Sequence, residues 1–305
     1  MAHPRPATSN APSRPSLSAS IELLKPITWF APMWAYACGV ISSGQTFDGR
    51  WGEVLLGVIL AGPLVCGTSQ AVNDWYDRHV DAINEPDRPI PSGRIPGRWG
   101  LYIGVAWTGL SLAVASLLGV WAFIAACVGL ALAWAYSAPP FRLKQEGWRG
   151  CTAVAACYEG LPWFTGAAVM ASALPDWRIC LIAALYSVGA VGIMTLNDFK
   201  AIEGDKRMGI RSLPVQLGVA GAAWVACLFM AVPQAIVAGL MFVWGAPWHA
   251  LAIIGVLAVQ LVLMKRLLAD PAGQAPFYNA TGTLLYVIGM MVAAFALAGL
   301  QWGTP

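Results

Sequence analysis

Apolar runs of about 20 residues recur along the whole chain, and they limit its possible folds more than any other feature. A run of this length with few charges can cross the hydrocarbon core of a bilayer as an α-helix. The composition agrees, because 58% of the residues are hydrophobic and only 11% are charged. We therefore predict an all-α, polytopic membrane protein with about nine transmembrane helices. Their approximate positions are 26–43, 54–73, 99–119, 121–137, 151–171, 178–197, 218–243, 248–268 and 281–301.

The distribution of basic residues predicts the orientation of these helices. If the N-terminus lies in the cytoplasm, all of the 18 Lys and Arg residues except Arg50 and Arg178 fall on the cytoplasmic side. Loops rich in Lys and Arg stay on that side. Nine crossings then place the C-terminus on the opposite side. Residues 1–20 are rich in Pro, Ser and Ala, which predicts a disordered tail before a membrane domain at 21–305.

Acidic residues are concentrated where the second and sixth apolar runs reach the cytoplasmic side. Each of these runs ends in Asn-Asp, followed by further acids and then by a Pro. If the second run continues as a helix at about 100° per residue, four polar groups share one face. They are Asn73, Asp74, Asp77 and Asp81. After the sixth run, the polar groups that share one face are Asn197, Asp198 and Asp205.

Crowded carboxylates repel one another unless a cation neutralises them. Mg²⁺ typically takes one or two carboxylates and completes its coordination with phosphate oxygens and water. Basic residues that could hold those phosphates follow both exits and the Pro139-Pro140 break: Arg88, Arg142, Lys144, Lys206 and Arg211. A solvated charge run is the simpler interpretation of each exit alone. The matching pair of exits, each with bases nearby, favours a metal–diphosphate site.

Three motifs give the chain a family resemblance. The NDWYD sequence at the second exit, YSAPPFRLK at 136–144 and NDFKAIEGD at 197–205 resemble the UbiA-type intramembrane prenyltransferases. Within that family the motifs are most similar to the (bacterio)chlorophyll synthase branch. The run RHVDAINEPDRPIPSGRIPGRWG at 78–100 most resembles the branch members of purple phototrophic bacteria. The resemblance covers nearly all of the chain after the tail, and it implies a helical bundle with its active site at the cytoplasmic side.

The resemblance implies roles for the two exits. Asn73, Asp77 and Asp81 would bind one Mg²⁺ ion, and Asp198 and Asp205 the other, with Asn197 alongside. The groups that would hold the diphosphate are Arg88, Tyr136, Arg142, Lys144, Lys206 and Arg211. Many family members carry a further Asp at the position of Ala201. Asp198, one turn earlier, is the expected substitute, with Glu203 as the alternative.

The resemblance also implies the substrates and the compartment. A C20 isoprenoid diphosphate, geranylgeranyl or phytyl, would esterify the propionate of bacteriochlorophyllide. Chlorophyllide, a quinone precursor or haem are the alternative acceptors. The compartment would be a bacterial inner membrane with a periplasmic C-terminus. The expected partners are the lipid bilayer and other pigment-biosynthesis or photosystem-assembly proteins, and no nucleic acid.

Three further residues leave alternatives open. Glu159 lies within the fifth run, where an ionisable group is a functional candidate by default. Either it faces the active cavity and orients the acceptor or a water, or it is protonated or hydrogen-bonded to a helix neighbour such as Tyr158 or Trp163. Tyr136 is either a phosphate donor, which the resemblance favours, or an interfacial anchor. We interpret His79 as a solvated loop residue rather than a ligand of a chlorin magnesium.

A transporter with a cation site is the main alternative from another class of protein. Such a protein would carry its acidic groups at mid-membrane, often at broken helices. Here the acids other than Glu159 lie at or beyond the ends of the apolar runs, and the two acidic exits share one side. A site on one side favours catalysis at the membrane surface.

Overall fold

The computed structural model describes residues 14–300, and this part of the chain is helical, with one isolated bridge between Glu146 and Arg211 in place of any strand. The α-helices are α1 (Leu17–Leu23), α2 (Phe30–Ser42), α3 (Trp51–Ile59), α4 (Gly67–Asn84), α5 (Trp99–Leu117), α6 (Val120–Ser137), α7 (Gly147–Ala155), α8 (Leu161–Ala171), α9 (Trp177–Asn197), α10 (Ile202–Met208), α11 (Leu213–Val243), α12 (Pro247–Ala269) and α13 (Pro271–Gly299). One π-helical turn, Leu60–Cys66, joins α3 to α4, and a second, Ala156–Gly160, joins α7 to α8.

The predicted all-helical membrane fold is confirmed, and the count of nine crossings is approximate. Seven helical segments between residues 14 and 300 are long and apolar enough to span a bilayer. The two other predicted crossings are α2, which is apolar but shorter, and the α7–α8 segment, which the π turn interrupts. A π turn inside a helix frequently marks a functional position.

Several boundaries differ from those predicted. The first helix begins at Leu17, so residues 17–20 are not part of a tail; the Ser16 hydroxyl caps α1 by accepting from the Ala19 amide. Residues 1–13 of the predicted tail lie outside the described residues. The ninth predicted crossing corresponds to α13, which begins at Pro271, about three turns before its predicted start. Polar residues such as Asn279 lower the hydropathy of its first turns without ending the helix.

Close contact between α2 and α8 fixes the interrupted fifth crossing in the bundle. A side chain at Gly39 would overlap the backbone of α8, and one at Gly166 would overlap the backbone of α2. Small residues allow two membrane helices to approach in this way. At the same contact, the Trp163 indole stacks on the Tyr186 ring with centroids 5.6 Å apart, and its Nε1 donates to the Ser42 hydroxyl at 3.1 Å.

The two acidic exits are brought together by helix packing. The helix α4 packs against α6, and α9 packs against α7. The loop between α6 and α7 lies between them, and the Arg211 amide donates to the Gln145 carbonyl at 3.0 Å, which ties this loop to the segment that follows α10. Both exits therefore border the same space.

Candidate functional site

A cavity of about 470 Å³ opens between α4, α6, α7 and α9 at the end of the bundle that carries the acids. Its polar wall contains nine of the residues predicted for the site: Asn73, Asp77, Asp81, Arg88, Tyr136, Lys144, Asn197, Asp198 and Asp205. Apolar side chains such as Leu132, Val154 and Met194 line the remainder. We call Asn73, Asp77 and Asp81 the first acidic cluster, and Asn197, Asp198 and Asp205 the second acidic cluster.

Basic side chains already neutralise the first acidic cluster. Lys144 Nζ forms an ion pair with Asp77 Oδ1, and Arg88 Nη1 donates to Asp81 Oδ2 at 2.9 Å. The Lys144 side chain is only 10% exposed, and this burial lowers the pKa of its ammonium group, while the neighbouring Asp77 carboxylate opposes the shift. The Asn73 amide donates to the Ser137 hydroxyl at 3.2 Å, which holds α4 against α6.

Asp74 does not share the cavity with these residues, although it was predicted to lie on the same face. It is 1% exposed, and its Oδ1 accepts from Lys25 Nζ at 2.6 Å and from Arg88 Nη1 at 3.4 Å. Asp74 lies at the edge of the polar stripe of α4, where the turn after α1 reaches it. Lys25 has no predicted role in the site, because a contact between residues 49 positions apart leaves no local pattern in the sequence.

The second acidic cluster has no neutralising cation at contact distance among residues 14–300. Asp205 is 8% exposed and Asp198 is partly buried, yet neither forms an ion pair there. Asp198 Oδ2 is 3.8 Å from the Cys151 thiol, which donates to it. The Asn197 Oδ1 accepts from the Asn279 amide of α13 at 2.7 Å, which anchors the end of α9.

Three of the predicted diphosphate ligands lie outside the cavity lining. Lys206 is exposed and lies 3.5 Å from the Glu203 carboxylate, which is exposed too. The Arg211 side chain is exposed, and it is the Arg211 backbone that joins the neighbouring loop. Arg142 adopts the left-handed conformation (φ 38°) beside Lys144 without lining the cavity. Sequence proximity identified these bases, but of the predicted loop bases only Arg88 and Lys144 line the cavity.

The structure places Glu159 away from the cavity, contrary to the first of its two interpretations. Its side chain is buried (4% exposed) on the π turn, but it does not line the cavity. The expected helix neighbours have other partners, because the Tyr158 hydroxyl accepts from Gln70 Nε2 at 2.9 Å and Trp163 donates to Ser42. Glu159 Oε2 accepts no hydrogen bond from the described part of the chain. His79 is exposed, as expected, but it lies within α4 rather than in a loop.

The cavity also contains polar residues that the sequence analysis missed. Ser69 and Gln70 line it one turn before Asn73, and Glu85 lines it one turn after Asp81. Helical spacing could have identified all three, because they continue the polar stripe of α4. Ala201 also lines the cavity, so the position where many family members have an Asp is in the site but provides no ligand.

The donor set fits Mg²⁺ ions that take one or two carboxylates each and complete their coordination with water or phosphate, rather than with protein ligands alone. No three His, Cys, Asp or Glu side chains within residues 14–300 are grouped closely enough to hold one ion. Mg²⁺ needs only one or two carboxylates when phosphate and water supply the other oxygens. Two acidic clusters on opposite walls of one cavity, with the second lacking a counter-charge, provide such ligands.

Comparisons with known proteins agree with this geometry. Residues 27–280 match the UbiA prenyltransferase family. The chain is 58% identical to the bacteriochlorophyll synthase 33 kDa chain of Cereibacter sphaeroides, over 98% of this chain and 97% of that protein. It is 38% identical to the chloroplastic chlorophyll synthase of Oryza sativa subsp. japonica, over 90% of this chain and 76% of that protein.

A solved structure has the same fold. A UbiA homolog from Archaeoglobus fulgidus bound to GPP and Mg²⁺ superposes with a TM-score of 0.68 at 21% identity, over 92% of this chain and 97% of that chain. The chain is therefore a multi-pass membrane protein that belongs to the UbiA prenyltransferase family.

Proposed function

We propose that this protein transfers a C20 isoprenoid, geranylgeranyl or phytyl, from its diphosphate to the propionate of bacteriochlorophyllide in a Mg²⁺-dependent reaction. The proposal depends chiefly on one observation: two acidic clusters and two partly buried cations line a single cavity that also has an apolar part to its wall. The greater identity to a bacteriochlorophyll synthase than to a chlorophyll synthase supports the choice of acceptor.

The first and second acidic clusters would hold the Mg²⁺ ions, and Lys144, Arg88 and Tyr136 would bind the diphosphate between them. When bound, Mg²⁺ neutralises the negative charge that develops on the departing diphosphate. Lys144 and Arg88 act in the same direction, because each can exchange its present carboxylate partner for a phosphate oxygen. The partial burial of both cations strengthens that interaction relative to water.

The apolar wall would receive the first isoprene units and keep water away from the reacting carbon. In the transfer, the bond between the allylic carbon and the diphosphate oxygen breaks, and its electron pair leaves with the diphosphate. A propionate oxygen then bonds to that carbon. Leu132, Ala133, Val154 and Met194 supply the dry surface beside the clusters.

The acceptor chemistry requires no strong general base. A propionate is already ionised at neutral pH, since carboxyl groups of this kind titrate near pH 4. Prenylation of an aromatic ring carbon would require removal of a ring proton. Beyond the acidic clusters, the cavity wall contains no histidine among the described residues. This composition favours ester formation over ring prenylation.

We also propose that the protein resides in a bacterial inner membrane with its cavity facing the cytoplasm and its C-terminus in the periplasm. The basic loops beside the cavity and the positive-inside rule support this orientation. A cysteine-labelling assay on intact spheroplasts would test it. A single-cysteine variant with a reporter at the exposed His79 position should be protected from an impermeant reagent, and labelling from outside would contradict the orientation.

The proposed reaction can be tested with membranes that contain this protein, Mg²⁺ and geranylgeranyl diphosphate. Bacteriochlorophyllide, chlorophyllide and 4-hydroxybenzoate are offered in parallel, and the products are separated by chromatography. We expect ester from bacteriochlorophyllide, and loss of the product when EDTA removes Mg²⁺. Turnover of 4-hydroxybenzoate alone would leave the metal site standing but overturn the proposed acceptor.

A further inference from the structure

Arg88 is shared among three carboxylates, and this sharing connects the cavity to the N-terminal segment. Its Nη1 lies 2.9 Å from Asp81 Oδ2 and 3.4 Å from Asp74 Oδ1, while its other nitrogens hold the Glu85 carboxylate at 2.5 and 2.7 Å. Asp81 and Glu85 line the cavity, but Asp74 lies outside it. Arg88 therefore lies between a cavity carboxylate and a buried one behind it.

Lys25 neutralises the buried carboxylate from the other side. Its Nζ lies 2.6 Å from Asp74 Oδ1, closer than Arg88 approaches the same oxygen. Lys25 has a φ of 48°, a backbone conformation that residues other than glycine rarely adopt. The Thr28 hydroxyl donates to the Lys25 carbonyl at 2.8 Å, which helps to hold this turn.

The N-terminal segment that carries Lys25 is fastened to the wall of the cavity. Leu23 and Leu24 of this segment are buried against Ala71, Ile95 and Ile103. Arg94, in the loop that also carries Arg88, forms two hydrogen bonds with the Glu22 carboxylate. Lys25 thus has a fixed position relative to both Asp74 and the Arg88 loop.

Charge considerations give Lys25 a consequence for the reaction. If Lys25 were absent, Asp74 would be a buried carboxylate with Arg88 as its nearest cation, and such a carboxylate binds a cation strongly because burial makes the unpaired charge unfavourable. Arg88 would then move towards Asp74 and away from the cavity. With Lys25 present, Asp74 is already neutralised, and Arg88 remains available to Asp81 and to a phosphate.

We propose that Lys25 is a positioning residue that keeps Arg88 available for the diphosphate by neutralising Asp74. The inference rests on the proposed function, because it gives a role to a cation that binds the isoprenoid diphosphate. It concerns residues outside the cavity lining and assigns neither Lys25 nor Asp74 a contact with substrate.

The test uses the full-length protein in detergent and measures the Kd of Mg²⁺–inorganic diphosphate by calorimetry, together with the KM and kcat for geranylgeranyl diphosphate. Lys25→Met should raise Kd and KM on the order of tenfold, the effect of weakening one charge-assisted hydrogen bond, with little change in kcat. Lys25→Arg should retain the parent values. Arg14→Met is the matched control, because it removes an exposed positive charge just before the same segment, and it should leave Kd unchanged.

The decisive variant is the double substitution Lys25→Met with Asp74→Asn. Removal of the Asp74 charge should release Arg88 again and bring Kd back to within about threefold of the parent. A double variant that binds as weakly as Lys25→Met, or more weakly, would overturn the proposal, because it would indicate direct phosphate contact or general structural support by Lys25. An unchanged Kd in Lys25→Met would overturn it as well.

Two further outcomes separate this inference from the proposed function. If Lys25→Met fails to fold, as judged by thermal unfolding, Asp74→Asn alone still tests the proposal. The Kd of this variant for Mg²⁺–diphosphate should lie within about threefold of the parent value. A tenfold higher Kd would contradict the proposal, because the Asp74 carboxylate would then support diphosphate binding itself. If the parent protein binds Mg²⁺–diphosphate with this variant pattern but esterifies no acceptor, the proposed function fails and the positioning role of Lys25 stands.

Discussion

The two acidic clusters lie at corresponding helix ends, but their charges are neutralised in different ways. In the first acidic cluster, Asp77 pairs with Lys144 and Asp81 pairs with Arg88. In the second acidic cluster, Asp198 and Asp205 form no ion pair with any residue of the described chain. Crowded carboxylates need a counter-charge. The second cluster therefore carries negative charge that no protein cation among residues 14–300 neutralises and that an added divalent cation can neutralise.

This difference predicts an order of binding. Mg²⁺ at the second acidic cluster competes with no protein cation, so it should bind there without diphosphate. At the first acidic cluster, Lys144 and Arg88 must leave their carboxylates before an ion can take their place. Diphosphate offers both cations new partners, so we expect the first cluster to bind Mg²⁺ together with the substrate.

The largest loss of turnover is expected when either acidic cluster loses one of its carboxylates. Asp205→Asn should lower turnover by about 10³-fold, the upper end of the loss seen when one stabiliser of transition-state charge is removed. Asp77→Asn should cause a similar loss while the protein remains folded in the membrane. Turnover is measured by ester formation. If either variant retains full Mg²⁺-dependent turnover, the cluster that contains the substituted residue is not a metal site.

A second pair of substitutions separates the cavity cation from its neighbour outside. Lys144→Met should reduce turnover by about 10²-fold, because Lys144 is buried beside Asp77 and can bind the leaving group. Arg142→Met should have a much smaller effect, since Arg142 does not line the cavity. KM for the isoprenoid diphosphate and for the pigment should be measured separately. Equal losses in the two variants would place Arg142 in the site after all.

A third substitution addresses the bases beside the second acidic cluster. Lys206→Met should change turnover by less than about threefold, because Lys206 is exposed and its ion pair with Glu203 is worth little at a solvated surface. Glu203→Gln serves as the matched control. A tenfold loss in Lys206→Met, with an unchanged Glu203→Gln variant, would show that Lys206 reaches the diphosphate when substrate is bound.

The smallest effect is expected from the acid that belongs to neither cluster. Glu159→Gln should keep turnover within about twofold, since Glu159 is buried away from the cavity and the amide is nearly isosteric. The steady-state rate and the KM for pigment provide the measurement. A large increase in that KM would restore Glu159 as a residue that orients the acceptor.

The fold was largely predictable because each crossing requires a long apolar run, which is a local property of sequence. Two features were not. The seven-residue helix α1 is too short to be predicted from periodicity, and it is stabilised by burial of Leu23 and Leu24. The polar first turns of α13 lowered its hydropathy, although Asn279 is satisfied there by Asn197.

The candidate site, like the fold, could be predicted from the sequence only in part. Helical spacing grouped Asp77 with Asp81 on α4, because a helix converts spacing into direction. Asp198 and Asp205 also line the cavity, but α9 ends at Asn197 and a 3-10 turn at 198–201 precedes α10, so the predicted continuous helix is not what brings this pair together. Loop bases have no such rule, and so Lys144 entered the cavity whereas Arg142 and Arg211 did not. Asp74 lies outside the cavity and pairs with Lys25, a contact between distant parts of the chain that spacing cannot reveal.

The most direct test of the account is a count of bound Mn²⁺, used in place of Mg²⁺, by electron paramagnetic resonance on the purified protein. We predict one ion without diphosphate and two with inorganic diphosphate, and the ion that binds first should be lost in Asp205→Asn. A protein that binds no Mn²⁺ under either condition, or binds it equally well in Asp205→Asn, would contradict the assignment of the two acidic clusters as a metal–diphosphate site.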